Sequence, residues 1–197
     1  MTRRMPPFAF FWLHCANWPV GVIDVALGSA LVKVGVPVRQ VATIIAAVSL
    51  AFSLEVLWAP VVDTTLTRRR WYVAGVTVMC GCLTALFFAP WNSASVPLLT
   101  ALAFVSCSGA AIALVATKGI MAYEVPAAQL GRASGFYTAG GIFAASAAGG
   151  GTLWLLTHLA SRPLVAALTV GVAALAAAAI VRSSPAAPAA RRAQLRN

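Results

Sequence analysis

The sequence predicts an all-α membrane protein with six transmembrane helices, and three observations lead to this fold class. First, 61% of the 197 residues are hydrophobic and only 9% are charged, whereas a soluble domain is typically about 25% charged. Second, the chain contains six mostly apolar runs of roughly the 20 residues that a spanning helix requires. Third, the basic residues concentrate in alternate connections. Strands of a membrane barrel would be about 10 residues long with alternating polarity, so helices are the expected elements.

The six predicted spans follow one another with short connections. The first run follows Arg3 and Arg4 in the manner of a signal peptide, but it is long and lacks a small-x-small cleavage site, so we interpret it as a permanent helix. Residues 1–182 are expected to form one six-helix domain, and residues 183–197, rich in Ala, Pro and Arg, a disordered basic cytoplasmic tail. The predicted spans cover residues 8–31, 41–62, 71–88, 96–120, 133–159 and 164–181.

Membrane topology accounts for the formal net charge of +10. With a cytoplasmic N-terminus, only Lys33, Arg39 and Arg162 fall on the outer side. The other basic residues fall in inner segments or close to them, which is the positive-inside pattern. We therefore expect both termini in the cytoplasm and the protein in the cell (inner) membrane. No basic face supports nucleic-acid binding, so the lipid bilayer and not a nucleic acid is the expected partner.

The first predicted span carries polar and small residues at helical spacing. His14, Asn17, Gly21, Asp24 and Gly28 are separated by 3, 4, 3 and 4 residues, which places them on one face of an ideal helix. A carboxylate at membrane depth costs about 2.5–3.5 kcal/mol on insertion scales, so this face should contact protein or water. His14, Asn17 and Asp24 are therefore candidates for the wall of a transport pathway. Helix packing through the glycines, with Asp24 wetted near the outer surface, is the alternative.

Glu55 and Lys118 are charged residues inside the second and fourth predicted spans. Each lies eight residues before a cytoplasmic connection, at Asp63 and at Pro126 respectively, which is about 12 Å along a helix. The two charges should lie at a similar depth, and a buried charge is tolerated chiefly when it is paired. We predict an intramembrane ion pair between them. Snorkelling of Lys118 to the cytoplasmic interface is the alternative.

The fifth predicted span, "GRASGFYTAGGIFAASAAGGGTLW", is crowded with small residues. Small residues at helix interfaces allow close approach of backbones in membranes, so tight packing within the bundle is the expected role. A phosphate-binding glycine loop is not supported, because no lysine and no strand-to-helix transition accompany the glycines.

The stretch "SLEVLWAPVVDTTLTRRRWYVAG" resembles the second helix and the following loop of major facilitator superfamily transporters. It is most similar to the AmpG-type muropeptide permeases and the related acetyl-coenzyme A transporters, which show a Leu-Trp-Ala/Ser-Pro-x-x-Asp … Arg-Arg-x-Trp pattern. "EVPAAQLGRASGF" is similar to the loop between helices four and five of that group. The matching residues of the first stretch are Leu57, Trp58, Ala59, Pro60, Asp63, Arg69, Arg70 and Trp71, and those of the second are Pro126, Gly131 and Gly135.

The resemblance implies half of a major facilitator fold, with two inverted three-helix repeats, and alternating access driven by an ion gradient, commonly protons. Asp63 with Arg68, Arg69 and Arg70 would belong to a cytoplasmic gating loop. Ala59 and Thr64 depart from the wider superfamily motif. Glu55 and Lys118 stand where the group commonly has lysine and aspartate, so the two charges look exchanged.

Only the first half of a full-length family member is covered by this resemblance. A fragment, a truncated reading frame, one subunit of a heteromer and a homodimer remain open, so the expected partners include a second six-helix half as well as a small-molecule substrate. The leading functional hypothesis is secondary active transport of a small solute. A non-transporting membrane assembly or chaperone protein of the same fold is the alternative.

Catalysis is not expected from this sequence. It contains no Ser/His pair, no HExxH motif and no paired intramembrane aspartates, and its two histidines, His14 and His158, lie near opposite ends of the membrane. Cys80 and Cys82 point away from each other on a helix and no histidine accompanies them, so a metal site is not indicated. We expect no enzyme activity, no metal and no cofactor.

Overall fold

The computed structural model describes residues 5–159 and 161–183, with side chains as far as Gly171 and at Ala174, and this part of the chain is helical throughout apart from short connections. A short 3-10 turn, Ser93–Ser95, precedes the helix Val96–Glu124. The helices are α1 (Ala9–Lys33), α2 (Val38–Ser53), α3 (Glu55–Thr64), α4 (Arg68–Phe88), α5 (Val96–Glu124), α6 (Ala127–His158) and α7 (Arg162–Ser183).

Local chemistry explains where several of these helices begin. Gly35 turns the chain between α1 and α2 with a φ of +86°, a conformation that costs glycine little. Pro37 and Pro126 stand immediately before α2 and α6 in extended backbone conformations, as expected for residues that lack an N–H donor. Thr67 caps α4, since its hydroxyl accepts a hydrogen bond from the Arg70 N–H at 3.4 Å.

Four helical segments are long and apolar enough to cross a membrane, namely α1, α4, α6 and α5 with its preceding turn. Helices α2 and α3 meet at Leu54 with a bend of 41° and together pass the same test, which gives a fifth span. Pro60 lies inside α3 and removes one helical hydrogen bond near the bend. The prediction of an all-helical protein is thus confirmed, with four or five helices that are long and apolar enough to span a membrane.

The sixth predicted span corresponds to α7. Its segment Arg162–Gly171 is apolar but shorter than a span, and most side chains beyond it lie outside the described residues. The predicted tail after Ser183 lies outside them as well. Helix α5 ends at Glu124, beyond its predicted span, and α6 begins at Ala127, before its predicted span. A helix can continue in water beyond its apolar run, which explains both extensions.

Helices α6, α1 and α5 and the bent pair α2–α3 form a row, and α4 and α7 pack behind it. Along the row, α6 packs on α1, α1 touches α5, and α5 packs on α2 and α3. Behind the row, α4 packs on α5, α7 packs on α4, and α7 also reaches α1 and α6. One face of the row is therefore covered by α4 and α7, and within the described residues no helix covers the opposite face, which we call the open face.

Glycines allow two of these crossings to be close. A Cβ built on Gly75 of α4 would lie 2.5 Å from the Gly109 carbonyl oxygen of α5, and one on Gly109 would lie 2.7 Å from the Gly75 oxygen. A Cβ on Gly21 of α1 would lie 1.9 Å from the Ala145 oxygen of α6. Both crossings hold backbone against backbone, as small residues allow between membrane helices.

Candidate functional site on the open face

Helix α1 is irregular where its polar residues occur. A 3-10 segment spans His14–Asn17 and a π-helical segment spans Val22–Leu27. A 3-10 helix has 3.0 residues per turn and a π-helix bonds i to i+5, so the side chains drift away from the directions of an ideal α-helix. Stretches of π-helix inside α-helices are frequent at functional sites.

The polar and small residues of α1 meet two different helices. His14, Asn17 and Gly21 contact α6, whereas a Cβ built on Gly28 would lie 3.7 Å from Val41 of α2. That these residues share one face of α1 stays a prediction.

His14 is held against α6. Its ring stacks on the Tyr137 ring with centroids 3.8 Å apart, and its Nδ1 lies 2.6 Å from the Tyr137 carbonyl oxygen. A carbonyl oxygen only accepts, so Nδ1 carries the proton and the lone pair of the neutral imidazole is on Nε2. The ring also lies against Gly141, where a Cβ would come within 2.6 Å of it. One turn further on, Asn17 Nδ2 donates to the Gly141 carbonyl over 3.4 Å.

The structure brings Glu55 and Lys118 together. Lys118 Nζ donates to Glu55 Oε1 in an ion pair that joins the first residue of α3 to α5. The Lys118 side chain is 49% exposed and that of Glu55 is 22% exposed. Lys118 is therefore paired across the contact between α3 and α5 while half of its side chain remains exposed.

Lys118 lies on the open face of the row. Lys118 lies nine residues after Gly109, the residue of α5 that touches α4. Nine residues are two and a half turns of an ideal helix, so the two residues are on opposite sides of α5. Lys118 also precedes the end of α5 at Glu124 by six residues, or about 9 Å. The charge therefore lies on the open face, before the end of α5, and points away from the two helices packed behind the row.

His14 and Tyr137 belong to the same cluster as the ion pair. His14 lies within electrostatic range of both Lys118 and Glu55, and Tyr137 lies within range of Glu55. Four elements, α1, α3, α5 and α6, thus each contribute one ionisable side chain. A cluster of ionisable groups inside spanning helices is typical of substrate and ion pathways.

Asp24 differs from the other three acidic residues of the chain. It lies in the π-helical segment of α1 and in electrostatic range of Cys107 on α5. Its Oδ1 is buried and makes no hydrogen bond to the described residues. Within the described residues no hydrogen bond joins Asp24 to His14 or Asn17, and a shared pathway wall for the three residues stays a prediction.

Asp63 and Arg68 meet in the predicted gating loop. Arg68 donates from Nε and Nη2 to Asp63 Oδ1 at 3.1 and 2.8 Å. The Arg68 guanidinium also lies 4.1 Å above the centre of the Tyr123 ring, and its side chain occupies space that a Cβ on Gly119 would fill. Arg68 therefore connects the end of α3 to the end of α5.

Arg69 makes a second link to α5. Its Nη2 lies 3.3 Å from both oxygens of Glu124. Arg70 is exposed, and within the described residues no carboxylate lies within ion-pair distance of it. Tyr123, Glu124 and Tyr137 belong to these contacts but to none of the motifs or spacings predicted from the sequence. The position of Glu124 directly before Val125-Pro126 placed it at the same membrane surface as the arginines, and this signal could have identified it.

No metal site competes with this interpretation in the described part of the chain, where no group of three or more His, Cys, Asp or Glu side chains could hold an ion. Comparison of the chain with known protein families, with curated proteins and with solved structures found no match. The chemistry of the open face is therefore the basis for a functional assignment.

Proposed function

We propose that the chain is a six-helix half of a secondary transporter of the major facilitator type, and that the open face is one wall of its pathway. The ion pair between Glu55 and Lys118 carries this proposal. Charged side chains inside spanning helices almost always face a bundle interior or a water-filled cavity. A lysine that is 49% exposed on the open face is therefore expected to meet water or a second helical body, not lipid.

The order in which the helices pack supports the 3+3 repeat. With the bent pair α2–α3 counted as one span, a repeat exchanges spans one and four, two and five, and three and six. Under this exchange, the contact between α1 and α6 (spans one and five) corresponds to the contact between α5 and the bent pair (spans four and two). The contact between α4 and α5 (spans three and four) corresponds to the contact between α7 and α1 (spans six and one). The exchange also leaves the α4–α7 contact unchanged. Inverted repeats of this kind occur within each half of major facilitator transporters.

The distribution of charge supports a cytoplasmic location for the end that carries Arg68 and Arg69. Both arginines tie α4 to neighbouring helix ends at that end, and basic residues prefer the cytoplasmic side of a membrane. In the proposed transporter these contacts hold the gating loop in place while the pathway is closed on this side.

Cysteine accessibility tests the proposal without knowledge of the substrate. The four native cysteines, all free and buried or half-buried, are replaced with alanine. Thr138→Cys then places a thiol on an exposed position of α6 beside Tyr137, and Val78→Cys places one on an exposed, apolar position of α4. A charged, impermeant thiol reagent reacts with the thiolate, so it modifies only a cysteine that meets water.

The labelling is measured in sealed vesicles of both orientations, so that the reagent reaches one side of the membrane at a time. In a transporter we expect the thiol of Thr138→Cys to be labelled from either side and that of Val78→Cys to be labelled from neither side. Labelling of Thr138→Cys from one side only would favour a non-transporting assembly protein of the same fold. Equal labelling of both positions would mean that the open face is not a pathway. Size-exclusion chromatography of each variant shows whether it remains folded.

A further inference from the structure

We propose that the Glu55–Lys118 pair is the binding site for the carboxylate of a small organic monoanion, which crosses the membrane together with one proton. The inference rests on the proposed transport function and adds the substrate class and the coupling step.

The two members of the pair differ in how accessible they are. The Lys118 side chain is 49% exposed, whereas that of Glu55 is 22% exposed. A solute that approaches along the open face therefore meets the ammonium group before the carboxylate. An ammonium group attracts an anion, and a carboxylate ligand can make the same charge-assisted hydrogen bond that Glu55 makes.

The remaining carboxylates are engaged or distant. Asp63 and Glu124 are bound by Arg68 and Arg69 near the helix ends. Asp24 interacts with the Cys107 region of α5, which is eleven residues, or about 16 Å along the helix, from Lys118. Glu55 is consequently the one carboxylate that the described residues place against Lys118, and a single ammonium group matches a single anionic group.

Exchange of carboxylates at Lys118 couples the anion to a proton. When the anion takes the ammonium group, Glu55 loses its counter-charge while it remains mostly covered. The bound carboxylate then lies beside the Glu55 carboxylate, and two carboxylates that share a site do not both stay ionised, so Glu55 takes up one proton from water to form an O–H bond. Binding then adds one anion and one proton, with no net charge. On release the anion leaves, Glu55 returns its proton to water, and the original pair forms again.

The other ionisable groups that face the pair are His14 from α1 and Tyr137 from α6. His14 donates from Nδ1 to a backbone carbonyl and stacks on Tyr137, so both are held by α6 and neither carries a negative charge that could replace Glu55 as the partner of Lys118.

Proteoliposomes that contain the full chain and a trapped pH dye provide the test. The probes are three monocarboxylates of increasing size, lactate, mandelate and gluconate, with lactamide as the neutral counterpart of lactate and glycerol phosphate as a phosphate-bearing anion. An inward gradient of at least one monocarboxylate is expected to acidify the lumen, and lactamide is not. A membrane potential set with potassium and valinomycin should leave this rate unchanged, because the step is electroneutral.

Two variants assign the step to the pair. Lys118→Gln should lower anion-driven acidification by at least about tenfold, since loss of one member of such a pair is costly. Glu55→Gln should permit anion uptake without acidification, and the uptake should respond to the membrane potential. Lys33→Gln, at an exposed position at the other end of the bundle, is the matched control and should behave as the parent protein does.

In weakly buffered detergent solution, the parent protein should also take up one proton for each bound anion, and Glu55→Gln should take up none. The inference is overturned if no monocarboxylate drives proton uptake, if only glycerol phosphate does, or if Glu55→Gln retains coupling. Thiol labelling at Thr138→Cys is measured without any solute, so transport can still be supported when this substrate class fails.

Discussion

The crossing of α1 with α6 and the crossing of α2–α3 with α5 occupy corresponding places in the proposed repeat, yet they are built differently. At the first crossing, Gly21 lies directly against the Ala145 backbone, with no room for a Cβ. At the second, the partner of α5 is bent by 41°, and Glu55 and Lys118 meet through long side chains. One crossing is held by backbone packing and the other by a pair of charges.

This difference indicates where the bundle can change. Packed backbones have few alternative arrangements, because a small displacement removes many contacts at once. An ion pair between flexible side chains can break and form again when a competing ligand supplies the missing charge. We therefore expect the α1–α6 crossing to remain fixed while the α3–α5 crossing responds to solutes.

The largest effect is expected when the backbone crossing is disrupted. Gly21→Ala places a Cβ 1.9 Å from the Ala145 oxygen, so α1 and α6 must separate, and overpacking of this kind costs about 1–3 kcal/mol or more. The thermal midpoint of the purified protein in detergent should fall clearly. Gly150→Ala in α6 is the control, because no atom lies within 4 Å of the added Cβ. An equal loss in both variants would contradict the proposed role of the crossing.

Reversal of one charge at the second crossing should have the next largest effect. Glu55→Lys sets two ammonium groups against each other, and we expect a loss of about 1–3 kcal/mol, below the value for a fully buried pair because Lys118 is half exposed. The double variant with Lys118→Glu should recover most of the expression level and thermal stability. If the second substitution restores neither quantity, the two side chains do not form the stabilising pair.

Removal of contacts made by Arg68 in the gating loop should lower stability less, and the effect should be local to the end of the α3–α5 crossing. Arg68→Lys loses the second donor to Asp63 and most of the contact with the Tyr123 ring, each a contribution of about 0.5–1 kcal/mol. Hydrogen exchange should increase for amides in residues 65–71. Arg70→Lys, at an exposed neighbouring position, should not change exchange. Unchanged protection in Arg68→Lys would show that another contact holds this loop.

The smallest effect is expected from the polar contact at the backbone crossing. Asn17 donates to the Gly141 carbonyl over 3.4 Å, and hydrogen bonds between membrane helices contribute about 0.6 kcal/mol on average. Asn17→Ala should therefore lower the thermal midpoint far less than Gly21→Ala does. A comparable loss would mean that hydrogen bonding, and not backbone packing, holds α1 to α6.

Local sequence signals predicted part of the candidate site. The resemblance to transporter loops groups Asp63 with the three arginines, and the equal distances of Glu55 and Lys118 from two connections predict that these two residues meet. Contacts between distant parts of the chain were not accessible in this way. The stacking of His14 on Tyr137 and the link from Arg69 to Glu124 join residues 123 and 55 positions apart, and only the packing of helices determines such neighbours.

By itself, the sequence determined that the protein is helical and suited to a membrane, since long apolar runs must satisfy their backbone hydrogen bonds internally in lipid. The tertiary structure decided how the helices are arranged and which way their side chains point. Within α1, packing places His14 against α6 and Gly28 against Val41 of α2. The bend at Leu54 begins α3 at Glu55, beside Lys118. Spacing along a chain assumes a regular helix, whereas close packing against neighbouring helices sets the local departures from it.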